Sequence, residues 1–97
     1  MEGIVMLNIF RSLFKGNKNS EKNILLGDRC RAVLVNAPTK LSEHIGEEAI
    51  AYYVDSHLFI QNESMGVKRT STVYHVKQMG DTLYFKTRNS KYVLRTL

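Results

Sequence analysis

Polar and apolar side chains alternate in three runs toward the C-terminus, over residues 70–78, 82–87 and 90–96, with a two-residue turn available between each pair. An alternation of period two sends neighbouring side chains to opposite faces of a strand. Gly80-Asp81 suits a tight turn with glycine first, and Arg88-Asn89 suits one through asparagine, which tolerates left-handed backbone. Two-residue turns then set the registers: Val76 opposite Phe85, Gln78 opposite Leu83, Phe85 opposite Tyr92, Leu83 opposite Leu94 and Thr87 opposite Ser90. One face collects Tyr74, Val76, Leu83, Phe85, Tyr92 and Leu94; the other collects Val73, His75, Lys77, Tyr84, Lys86, Lys91, Val93 and Arg95. A slip of one residue would exchange the faces of a strand, so the agreement of three strands on one apolar face supports this register.

Upstream, residues 29–35 are rich in β-branched and apolar side chains and run into the turn signal Asn36-Ala37-Pro38, which predicts a strand. Residues 41–54 fit two patterns. Leu41, Ile45, Ala49 and Tyr52 have helical spacing, but Gly46 interrupts them and the run from Ala49 to Val54 suits a strand. The favoured reading is a polar turn or short helix up to Glu47, followed by a strand from Ala49. Asp55-Ser56 makes a tight turn into a strand over 57–61, and residues 62–66 read as a loop. At the other end, Met6, Phe10, Leu13 and Phe14 recur at helical spacing, which predicts an amphipathic helix stopped by Gly16. Residues 17–23 hold no apolar side chain and read as a surface linker.

These elements predict one domain over residues 1–97: an N-terminal helix within 1–16, a polar linker at 17–23 and a β domain at 24–97. The expected fold is mainly β (α+β), a small antiparallel sheet or open barrel of about five strands with the helix packed on it. The same helix has two other uses, docking on a partner or lying at a membrane surface with Arg11, Lys15 and Lys18 near the lipid headgroups.

Charge changes the picture more than composition does. The chain has a formal net charge of +5, but residues 66–97 alone hold seven basic residues against Asp81, a net of +6. Residues 41–65 hold five acidic residues and no Lys or Arg, and residues 1–40 carry a net of +4. A basic chain of this kind favours acidic partners. Cys30 is the single cysteine, so no internal disulfide forms; a reducing, cytoplasmic setting is expected. The apolar run 4–10 is too short to span a bilayer and lacks the flanks of a signal peptide.

Candidate chemistry concentrates on the polar face of the last three strands. His75, Lys77, Tyr84, Lys86, Lys91 and Arg95 share it, with His75 opposite Lys86 and Lys86 opposite Lys91. Lys and Arg take phosphates or carboxylates, and a tyrosine between them can stack on a base. The alternative for this face is a solvated surface whose charge blocks aggregation. Catalytic patterns are weak: His44, His57 and His75 lack metal-motif spacing, and adjacent Glu47 and Glu48 would point to opposite faces of a strand. Cys30 assisted by His57 or His75 is a far less common arrangement than a small core cysteine. Residues 66–70 are basic but lack P-loop spacing. Arg69-Thr70-Ser71 and Thr87-Arg88-Asn89-Ser90 read as turn chemistry, or as a polar rim able to grip an anion.

The expectation is a non-enzymatic binding module with no cofactor and no small-molecule substrate. Its partner is acidic, nucleic acid first and an acidic protein second. The alternative is a protein-interaction module, a small inhibitor or assembly subunit, using a sheet edge or the N-terminal helix. Homo-oligomers fall under that alternative, with the acidic block of one copy meeting the basic strands of another.

Overall fold

Alternation becomes a single antiparallel sheet in the computed structural model, which describes residues 22–97. The predicted N-terminal helix and most of the linker lie outside the described residues. Seven strands follow in chain order: β1 (Cys30–Asn36), β2 (Glu48–Val54), β3 (His57–Asn62), β4 (Gly66–Arg69), β5 (Val73–Met79), β6 (Thr82–Thr87) and β7 (Lys91–Thr96). Their order across the sheet is β4-β3-β2-β1-β7-β6-β5. Two meanders, β1–β4 and β5–β7, are thus joined by the antiparallel pairing of β1 with β7. Among the described residues no ladder joins β4 to β5, so the sheet is open.

The buried face explains the shape. Ala32 and Leu34 of β1, Ala51 of β2, Leu58 and Ile60 of β3, and Leu94 of β7 are completely buried, with Phe85 of β6 at 1% exposure. Tyr53 of β2 meets Phe85 of β6, ring centroids 5.7 Å apart. In a flat sheet strands three places apart are separated by about 14 Å. The sheet must therefore curl until β2 and β6 face each other. Alanines on the inner face of the β1–β2 pair, Ala32 opposite Ala49 and Ala51 opposite Cys30, leave room for that curvature. The short 3₁₀ turn Ile24–Leu26 adds Ile24 to the core, with Asn23 accepting from the Leu25 N–H at 2.8 Å and Gly27 closing the turn in left-handed backbone.

Strand count and two details depart from expectation. The sheet has seven strands rather than about five, and the segment not anticipated is β4, which includes Gly66 from the end of the predicted loop. It pairs along β3, with Ile60 opposite Lys68 and Phe59 opposite Arg69. The registers of β5, β6 and β7 are those the alternation predicts, but a bulge between Val73 and His75 adds one residue to β5. The bulge exchanges two assignments: Val73 is buried on the apolar face, and Tyr74 is 68% exposed. Between β1 and β2, a 3₁₀ turn spans Thr39–His44 and β2 starts at Glu48, one residue before the expected strand.

The turns differ in how they hold. Asp55 and Ser56 both have positive φ, 53° and 64°, as a two-residue hairpin turn of type I′ requires. Gly80 has φ 62°, as a glycine-first turn requires. Arg88-Asn89 uses no left-handed residue. Instead the buried Thr87 hydroxyl accepts from the Ser90 N–H at 3.1 Å, and the Thr87 N–H donates to the Ser90 carbonyl at 2.9 Å.

Two acidic side chains tie the β1–β2 connection to its neighbours. Asn62 donates to Glu47 Oε1 at 3.0 Å, and His44 Nδ1 lies 3.1 Å from the same oxygen. The Asn62 hydrogen bond, helped by His44 and Ser64 and opposed by partial desolvation, holds the Glu47 carboxyl below its ordinary value. Glu48 is lowered by its hydrogen bond and ion pair with Arg31. Both groups therefore bind protons less readily folded than unfolded. Their stabilisation is complete above the unfolded glutamate value of about 4.3 and is lost as pH falls through the depressed folded values. The urea midpoint is expected to drop between pH 5 and pH 3, and Glu47→Gln, followed by fluorescence or circular dichroism, should flatten that drop.

Candidate nucleic-acid interface

Curling puts the apolar face inside and leaves the polar face of β5–β7 on the convex side. The ladder arranges that face in rows: His75, Lys86 and Lys91 in one, Lys77, Tyr84 and Val93 in the next, Met79, Thr82 and Arg95 in the third. Each row crosses three adjacent strands, so its members are about 5 Å apart at the backbone. The two-residue turn at Gly80-Asp81 and the Thr87–Ser90 clasp hold this register.

Five of the six residues singled out from sequence line one depression of about 240 Å³: His75, Lys77, Tyr84, Lys86 and Lys91. Arg95 shares the face but stands one row further along β7, opposite Thr82, outside the depression. Val93, opposite Tyr84, supplies part of its wall. The surface of this hollow is mostly apolar, with Tyr84 at 40% exposure and cations around it. Lys86 directly opposite Lys91 is a like-charge pair, which costs a few tenths to about 1 kcal/mol in a sheet. Among the described residues neither lysine, nor Lys77 nor Arg95, forms an ion pair with a carboxylate. An anion laid along the row relieves the repulsion.

Val73 and Tyr74 are the residues that alternation misplaced. The bulge exposes Tyr74 next to His75, outside the set of residues that line the hollow. A bulge inserts one residue without any necessary mark in composition, and Val73 and Tyr74 are both good strand formers.

Other sequence candidates are engaged elsewhere. His57 Nδ1 lies 2.9 Å from the Thr70 carbonyl, and the Cys30 sulfur 3.8 Å from the Asp28 carbonyl. Burial pushes the Cys30 thiol up, Asp28 adds to the shift and Lys22 opposes it, whereas a reactive cysteine needs the opposite. The acidic block splits. Glu47 lies just before β2 and Asp55 just beyond its end, about 25 Å apart along the strand. Among the described residues, no three His, Cys, Asp or Glu side chains gather as metal ligands, and no helix is long and apolar enough to cross a membrane.

Away from the basic rows, the convex side of β2 and β3 carries a different cluster. The Tyr52 and Phe59 rings stack with centroids 5.0 Å apart and planes within 3°, and the Arg29 guanidinium covers Tyr52 at 4.3 Å. Phe59 occupies one side of Tyr52 and Arg29 covers its ring, so this pair braces the strands rather than offering a free stacking surface. Comparison with family models, with curated proteins and with solved structures finds no match to this chain.

Proposed function

We propose that the chain is a non-enzymatic binding module that engages an acidic partner, nucleic acid first, through the convex face of β5–β7. The observation that carries this reading is the His75–Lys86–Lys91 row beside Tyr84, set around an apolar hollow with no carboxylate among its described lining residues. Phosphates reward the cations, and an exposed ring over an apolar floor rewards an unpaired base. Single strands are therefore preferred over duplexes, whose bases are already stacked. On the strength of the lone Cys30, the module works in the cytoplasm.

Fluorescence anisotropy of a labelled single-stranded oligonucleotide across a salt series tests the reading. Each phosphate contact on a single strand contributes about −0.7 to the slope of log K against log salt, so three or four contacts predict a slope of roughly −2 to −3. A salt-insensitive complex, or no complex, contradicts the proposal.

A second reading rests on the sheet edges. β4 is exposed along its whole length and β5 along most of it, so either edge can accept a strand from another chain or a second copy. Lys68 and Arg69 on β4 make that edge selective for acidic strands.

A further inference from the structure

Alternation does not reveal a second cluster of cations, which the topology assembles on the concave side. Lys40 from the β1–β2 connection and Lys68 from β4 line a pocket of about 270 Å³; Arg69 also borders it, but it stands opposite Phe59 and so turns its side chain to the convex side. Ile60 and Tyr92, both buried, are among its apolar lining residues, and Ser71 and Ser90 add hydroxyl groups. Lys68 stands opposite Ile60 in the ladder, which sets its stem beside the apolar lining. Among the described residues no Asp or Glu lines the pocket, and neither lysine has a carboxylate partner. Thr70, which also lines it, is committed to the fold: its hydroxyl accepts from the Leu58 N–H at 3.1 Å and donates to the Ser71 carbonyl at 2.8 Å. That anchoring fixes the backbone of the Arg69–Ser71 segment at the rim.

Two lysines and two serines beside an apolar surface describe a receptor for a small ligand with an anionic head and an apolar or ring-shaped body. We propose that this pocket binds a phosphate monoester. Such a group carries about −1.5 to −2 charge near neutral pH and three acceptor oxygens, which suits a cluster of Lys and Ser. The volume lies just below the roughly 300 to 1,000 Å³ typical of ligand pockets, so the occupant is of mononucleotide size or smaller. The same chemistry is offered by a free mononucleotide and by the 5′-phosphate end of a strand. The site is separate from the convex face and does not rest on its binding.

Titrating the full chain with four probes, followed by amide NMR shifts, tests the site. The probes are a nucleoside 5′-monophosphate, the parent nucleoside, and an oligonucleotide with and without a 5′-phosphate. A phosphorylated probe should shift the amides of residues 68–71 and Ser90, with inorganic phosphate competing and the nucleoside leaving them unmoved. Shifts with the free monophosphate identify a small metabolite; shifts there only with the phosphorylated oligonucleotide identify a strand end. Lys40→Ala combined with Lys68→Ala should weaken the phosphorylated probe at least about 10-fold, the scale of one lost charge-assisted hydrogen bond. Both lysines are exposed, so the variant keeps its core. Lys86→Glu/Lys91→Glu should leave monophosphate binding in place, which separates failure here from failure on the convex face. Equal shifts from phosphorylated and unphosphorylated probes, no shift at 68–71, or an unaffected lysine variant overturns the proposal.

Discussion

The double substitution Lys86→Glu/Lys91→Glu is expected to abolish binding of single-stranded nucleic acid while leaving the fold intact. Both side chains are exposed and directly opposite each other on β6 and β7. Neither lies on the buried face, so the core is untouched. Two attractive contacts become two repulsive ones in the row that His75 begins. A hydrogen bond to a charged group is worth about 1.5–3 kcal/mol, so losing two corresponds to a loss of roughly 100-fold or more before repulsion is counted. Lys22→Glu/Lys68→Glu makes the same change in net charge away from this face and should retain most of the affinity for an oligonucleotide that lacks a 5′-phosphate. Equal losses in the two variants would mean that net charge, rather than this face, drives association.

Phe85→Ala should have the largest effect on stability. Phe85 is 1% exposed, lies opposite Tyr92 and Val76 in the ladders, and meets Tyr53 from the far side of the curl. It therefore spans the two meanders, and truncation opens a cavity between them. A buried Phe→Ala change costs about 3–5 kcal/mol, against total stabilities of about 5–15 kcal/mol for single domains. A domain of this size belongs toward the lower end of that range. Urea denaturation should show a midpoint reduced by a third or more, or a chain unfolded at room temperature. A loss below about 1 kcal/mol would mean that the curled core does not depend on this contact.

Much of β6 and β7 was legible in the sequence because the alternation is regular and their turns leave few choices of register. The candidate face followed from the same argument, and the structure brings five of its six residues around one hollow. Three features were not legible for distinct physical reasons. β4 has a single apolar residue, Val67, and becomes a strand because β3 offers an unpaired edge. The bulge at Val73–His75 left no mark in a segment where either neighbour fits a strand. The curl follows from contact between Tyr53 and Phe85, residues 32 positions apart. The concave pocket was half visible. Arg69-Thr70-Ser71 stood out as a polar rim, but joining it to Lys40 and Ser90 requires the topology.

The most direct test of the convex-face reading is amide NMR mapping of the full chain titrated with an unphosphorylated single-stranded oligonucleotide at low salt. The account predicts shifts concentrated on His75, Lys77, Tyr84, Lys86 and Lys91, reversed by added salt. Shifts absent from those residues, or confined to the β4 edge, would contradict it.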